Sequence, residues 1–103
     1  MRLVWSPLAI ERAYEEARYI ARDRPEAALR WLEGLFKITD RLERFPRSGR
    51  IVPEIGSGEF RELVYRSSHR IIYRIESSVV SILTVRSFFQ QLDPTELHRS
   101  KTG

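Results

Sequence analysis

Apolar residues recur at every second position through residues 60–76, FRELVYRSSHRIIYRIE, and this alternation is typical of two strands joined by a short turn. Because successive side chains of a strand point to opposite faces, the second strand sets Ile71 and Tyr73 on one face and Arg70 and Arg74 on the other. One face of this hairpin is therefore predicted to cover a core, while the other carries guanidinium groups.

Two helices are predicted before the hairpin, because the apolar period changes there from two residues to between three and four. Ser6 and Pro7 have the residue types of an N-cap and a first helical position, and the first helix is predicted to run to about Asp23. The second helix is predicted from Pro25 to about Phe45. The first apolar stripe comprises Ile10, Ala13, Tyr14, Ala17, Ile20 and Ala21, and the second comprises Ala28, Trp31, Leu32, Leu35, Ile38, Leu42 and Phe45.

The remaining segments complete a small α+β domain. A strand is predicted at residues 2–5, a loop rich in proline and glycine at residues 51–59, and a third hairpin-connected strand at residues 79–88. A short helix is predicted at residues 95–99. The order βααβββ predicts a single domain over residues 1–103, in which a helical hairpin packs on one face of a small, mainly antiparallel sheet. Trp31 and Leu35 are expected between the helices and the sheet, and Gly34 is expected to permit close contact between the helices.

Composition narrows the classes of function. The formal net charge is +4 and the pI is about 10.0, and all basic residues except Lys37 and Lys101 are arginine. Arginine suits bidentate contact with phosphate or carboxylate groups, so the expected partners are nucleic acid or an acidic protein. The chain has no cysteine, no apolar run of membrane-spanning length and no signal-peptide pattern, and we therefore expect a cytoplasmic protein without a membrane partner.

Candidate chemistry is sparse. No metal-ligand spacing and no glycine-rich phosphate loop is present, so no cofactor or metal is expected. Cleavage of RNA through its 2′-hydroxyl needs proton transfer and a cation near the phosphate. Arg61, Arg70 and Arg86 are the candidate cations, and His69 is the candidate proton-transfer group. Salt bridges to Glu62 or Glu76 explain Arg70 and Arg86 equally well, and an ordinary histidine at the edge of a turn explains His69 better than a catalytic role does.

Several short motifs, taken in order, resemble toxins of the RelE/ParE superfamily, the growth-arresting halves of type II toxin–antitoxin pairs. They are W-S-P-x-A at residues 5–9, F-P-x-x-G-R at 45–50, V-P-E at 52–54, R-E-L at 61–63, R-I-I-Y-R-I at 70–75 and S-I-L-T-V at 81–85. The combination is more similar to the ParE-like branch, whose characterised members poison DNA gyrase. The RelE-like branch cleaves mRNA on the ribosome, and Ser87 stands where many of its members have histidine.

The resemblance implies a toxin that inhibits DNA gyrase and is neutralised by a cognate acidic antitoxin, with which it can form a hetero-oligomer. Arg61, Arg70, Arg74 and Arg86 are then the expected contacts with target or antitoxin. A ribosome-dependent mRNA endoribonuclease is the first alternative, so whether the protein is an enzyme stays open. The second alternative is a non-toxic basic module that binds nucleic acid.

Overall fold

The structure is a computed structural model, and it describes residues 1–89 and 94–97. The elements in chain order are β1 (Arg2–Trp5), α1 (Pro7–Ala21), α2 (Pro25–Asp40), β2 (Arg50–Ile51), β3 (Phe60–Tyr65), β4 (His69–Glu76) and β5 (Val79–Ser87). Two 3₁₀ helices occupy Arg41–Glu43 and Pro94–Leu97. The second of these replaces the helix predicted at residues 95–99, of which residues 98 and 99 lie outside the described part. Within the described residues, no helix is long and apolar enough to cross a membrane.

The five strands form one sheet in the order β1-β5-β4-β3-β2. β1 lies parallel to β5, and the other neighbours are antiparallel. Both long helices lie on one face of this sheet, so the predicted α+β architecture is confirmed. The short strand β2 was not predicted, because Arg50 and Ile51 stand beside a run of loop-forming residues; they pair with Glu62 and Arg61.

Helix α1 begins where the sequence predicts. The backbone N–H of Ala9 donates to the Ser6 hydroxyl oxygen at 3.0 Å, and that hydroxyl donates to the carbonyl of Leu83 on β5 at 3.1 Å. The N-cap therefore also fixes the helix to the sheet. The buried side of α1 consists of alanines four residues apart, Ala9, Ala13 and Ala17. Ile10 and Tyr14 from the predicted stripe lie beside this row and are half-exposed.

Helix α2 supplies the larger core residues. Trp31 and Leu35 are buried, as predicted. The Tyr65 hydroxyl on β3 donates to the Trp31 carbonyl at 2.8 Å. A Cβ added at Gly34 would collide with that Tyr65 hydroxyl. Gly34 therefore admits a side chain of the sheet, whereas the sequence led us to expect contact with the other helix.

The end of α2 differs from the prediction. The α-helix stops at Asp40 and not at about Phe45, and a 3₁₀ turn follows. Phe45 precedes Pro46, and a residue before proline is disfavoured in the helical region because of the proline ring. Leu42 remains in the core, but Phe45 is 58% exposed, so its assignment to the buried stripe was wrong.

A β-bulge in β5 explains why its core residues do not follow a single alternation along the strand. The pairing passes from Ile72–Thr84 to Tyr73–Ile82 and leaves Leu83 as the extra residue. The bulge shifts the alternation by one position, so Ile82 and Val85 both belong to the core under the helices. Alternation alone would have put them on opposite faces.

Candidate functional site

Arg70 is held by carboxylates on the sheet face away from the helices. Its guanidinium donates to both carboxylate oxygens of Glu54 at 2.7 Å and to Glu62 at 2.7 Å. Hydrogen bonds to Glu54 are the main cause that raises the pKa of Arg70, and the same bonds lower the pKa of Glu54. Glu62 is buried and also accepts from Arg50. Arg70 is only 7% exposed, so the guanidinium face predicted from the sequence is covered at this position.

Arg86 stands directly opposite Arg70 across β4 and β5. Its guanidinium lies 2.9 Å from a carboxylate oxygen of Glu96, which comes from the C-terminal 3₁₀ helix. Glu96 is buried and also accepts from the Thr84 hydroxyl at 2.6 Å and from Arg12 of α1 at 3.3 Å. This carboxylate therefore joins the C-terminal 3₁₀ helix to β5 and α1, and it neutralises Arg86.

Arg74 has weaker partners. Its guanidinium lies 3.3 Å from Glu59 and 3.4 Å from Glu76, and it covers the ring of Phe60 at 5.3 Å. These contacts are partly exposed, where ion pairs contribute little. The guanidinium group of Arg74, one of the predicted contact residues, is therefore accessible to another protein.

Arg61 faces the helical side of the sheet. It pairs with Tyr73 across β3 and β4. Its guanidinium donates to the carbonyls of Gly58 at 3.1 Å, Gly49 at 2.9 Å and Arg47 at 3.4 Å. Arg61 thus holds loop backbone in place, and the structure separates it from Arg70 and Arg86.

His69 is also on the helical side. Its Nε2 lies 2.9 Å from a Glu16 carboxylate oxygen, and its Nδ1 lies 2.7 Å from the Ser68 hydroxyl. The ring packs edge-on against Trp31 at 5.1 Å. The imidazole therefore connects α1 to the start of β4. Glu16 of α1 is the partner that orients the ring.

The structure does not bring the predicted catalytic groups together. Arg70 and Arg86 occupy the face away from the helices, whereas His69 and Arg61 occupy the helical face. A phosphate held by the two opposed arginines would have the sheet between itself and the imidazole. In residues 1–89 and 94–97, moreover, no group of three potential metal-ligand side chains is present.

The family follows from a comparison over nearly the whole chain. Residues 3–88, which cover β2 to β5 and all of β1 except Arg2, match the family described as "ParE toxin of type II toxin-antitoxin system, parDE". The chain belongs to the ParE toxin family. The predicted resemblance to the ParE-like branch is thereby confirmed.

The ParE fold is also seen in a solved structure described as "Chromosomal ParDE TA system from P. aeruginosa". The two chains superpose with a TM-score of 0.73 at 18% sequence identity, over 84% of this chain and 95% of that chain. At this identity the likeness concerns the fold. A comparison with curated proteins gave no significant match.

The carboxylate partners in this ParE toxin were predicted only in part. Glu62 was named as a possible partner of Arg70, but Glu54 and Glu96 were not. Glu54 lies in the V-P-E motif that supported the resemblance, which was a signal of its importance. Glu96 lies 10 residues beyond Arg86 in a segment without regular periodicity, so sequence spacing gave no indication of their contact.

Proposed function

We propose that this type II toxin acts in the cytoplasm, where it arrests growth by binding and inhibiting DNA gyrase, and that a cognate acidic antitoxin neutralises it. Membership of the ParE family supports DNA gyrase as the target. The observation that carries the choice of binding over RNA cleavage is the separation of His69 from Arg70 and Arg86 on opposite faces of the sheet. Inhibition by binding needs no such assembly of acid, base and cation.

Charge supports the acidic partner. The chain carries a net charge of +4, and arginines dominate its basic residues. An antitoxin segment rich in carboxylates would be attracted to this chain over long range, and repulsion between like charges would discourage it from binding other acidic proteins. Of the residues predicted to contact partners, Arg74 is offered for this role, since its side chain is 31% exposed.

The alternative of mRNA cleavage has one observation in its favour. Arg70 and Arg86 are directly opposed on adjacent strands, as a phosphate clamp would require. Both guanidinium groups have carboxylate partners, however, and a phosphate would have to displace Glu54 and Glu96. We therefore keep this activity as the alternative outcome of the same experiment.

The test is a paired assay of the purified toxin. We expect inhibition of DNA supercoiling by gyrase, and no cleavage of mRNA on programmed ribosomes. His69→Gln should inhibit supercoiling within about twofold of the wild type, whereas loss of a general base would lower cleavage by about 100-fold or more. Ribosome-dependent cleavage that disappears in a folded His69→Gln protein would refute the proposal and establish the alternative.

A further inference from the structure

Residues 41–48, which we call the 41–48 segment, follow α2 and expose an unusual set of side chains. Leu42 is buried, but Arg41, Arg44 and Arg47 are exposed. Phe45 lies among them with 58% of its surface accessible. Aromatic residues and arginine are the types enriched in the binding centres of protein interfaces. None of the roles described above uses these four side chains.

Side chains of the sheet fix the backbone at the end of the 41–48 segment. The buried Tyr73 hydroxyl donates to the Pro46 carbonyl at 2.7 Å and accepts from the Gly49 N–H at 2.9 Å. Arg61 donates to the carbonyls of Arg47 and Gly49. Because these groups hold the backbone in place, binding at this segment needs little ordering of the backbone.

Within residues 1–89 and 94–97, the arginines of this segment have no ion-pair partners. Across the part of the chain that the structure describes, no carboxylate lies within 4.0 Å of the guanidinium groups of Arg41, Arg44 or Arg47. With Glu43 included, the segment carries a formal charge of +2. Its field is therefore available to an outside anion.

A groove accompanies the charge. Phe45, Pro46, Arg47 and Ser48 line a surface depression of about 380 Å³. Its walls include the Phe45 ring and the Pro46 ring, which suit an apolar side chain and not a carboxylate. The surface therefore offers an apolar recess with cations at its rim, as the centre and rim of a protein interface do.

We propose that the 41–48 segment is a docking surface for an acidic segment of the antitoxin. An apolar side chain of that segment occupies the groove beside Phe45, and neighbouring carboxylates contact Arg44 and Arg47. A single aromatic ring favours a protein over single-stranded nucleic acid, which uses several rings to stack successive bases. Arg61 and Tyr73 are then positioning residues for this surface. The inference rests on the proposed antitoxin, and it is independent of the identity of the target.

The experiment titrates purified toxin variants with the antitoxin encoded beside the toxin gene. Phe45→Ala should weaken binding by about 30-fold, the effect of removing one interface hot spot. Arg44→Glu combined with Arg47→Glu should weaken it further and should flatten the dependence of affinity on salt concentration. Melting temperatures should stay close to that of the wild type, because these side chains are exposed.

The control is a double variant with the same change of net charge on the two helices. Arg18→Glu combined with Arg30→Glu alters two exposed helix residues and should leave antitoxin affinity within about threefold of the wild type. Equal losses in both double variants would reduce the effect to net charge and overturn the inference. Unchanged affinity in Phe45→Ala would do the same.

A gyrase supercoiling assay on the same variants separates the sources of failure. We expect Phe45→Ala to inhibit gyrase as well as the wild type does. Loss of inhibition with full antitoxin affinity would assign the surface to the target and overturn the inference. A wild-type protein without effect on gyrase would contradict the proposed target, while loss of antitoxin binding in Phe45→Ala would still support this docking surface.

Discussion

Two groups of arginines in this toxin have opposite surroundings. Arg70 and Arg86, on the sheet face away from the helices, are nearly buried and contact carboxylates of Glu54, Glu62 and Glu96. The arginines of the 41–48 segment are exposed and have no carboxylate within ion-pair distance in the described chain. The first group is part of the folded framework, and the second is available to a partner.

The contrast shows that the position of an arginine in a sequence motif does not indicate whether its guanidinium group is accessible to a partner. Arg70 and Arg86 attract attention in the sequence because they lie on strands with strong alternation. Their local carboxylates cancel much of the charge, since a paired guanidinium has little field left to offer a ligand. The F-P-x-x-G-R motif after α2 indicates the family but no contact role, because Phe45 completes the predicted helical stripe. Only the early end of the helix turns that residue outward.

The largest expected loss of stability follows from removing the Arg70 side chain, which belongs to the first group. Arg70→Ala should lower the free energy of unfolding by about 3 kcal/mol, because it leaves Glu62 buried with one partner, Arg50. Arg44→Ala, in the second group, should change it by less than about 0.5 kcal/mol. Urea denaturation of both proteins measures the difference. Equal stabilities would mean that the buried pair is not part of the framework.

A second variant tests how firmly the 41–48 segment is anchored. A Cβ at Gly49 would approach the Tyr73 hydroxyl and the Glu62 carbonyl to 2.6 Å, so Gly49→Ala should cost about 2 kcal/mol. Gly58→Ala is the matched control, since a Cβ there meets nothing within 4 Å. If the segment is a rigid docking surface, Gly49→Ala should also weaken antitoxin binding. A tolerated alanine at position 49 would contradict the close packing.

The smallest expected effect is the dependence of stability on pH through Glu54. Contact with Arg70 lowers the pKa of Glu54 below its usual value of 4.5. A lowered pKa contributes stability that is fully present above pH 4.5 and is lost as the pH falls through the folded value. Glu54→Gln should therefore cost about 1 kcal/mol at neutral pH. The difference from wild type should shrink below pH 4.5.

Thermal unfolding followed by circular dichroism between pH 3 and pH 7 measures this dependence. Glu11→Gln, at an exposed position on α1, supplies the control and should follow the wild-type curve. A stability difference for Glu54→Gln that stays constant to pH 3 would mean that the carboxylate does not titrate with folding.

Regular elements could be predicted from the sequence, because each rests on local periodicity. The two helices, the hairpin and the last strand were all recognised, as were buried Trp31 and Leu35. Contacts between distant side chains were not predictable in this way. The approach of Glu96 to Arg86 depends on where an irregular segment folds back, and no spacing rule encodes it.

The turns and the bulge show a second limit. Arg66, Ser67 and Ser77 adopt positive φ, although glycine or asparagine would be the expected residue in tight hairpin turns. The bulge at Leu83 likewise has no local marker, yet it decides which residues of β5 reach the core. In both places the pairing of whole strands overrides the preference of single residues.

The parallel pairing of β1 with β5 has a consequence for how the toxin is made. The first strand to leave the ribosome finds its sheet neighbour only when residues 79–82 have been synthesised. Until then, the sheet on which α1 and α2 pack lacks β5, which pairs with both β1 and β4. Long-range pairing of this kind delays folding. A chain that ends before β5 lacks the pairing partner of β1, so only a chain translated past residue 82 can complete the sheet.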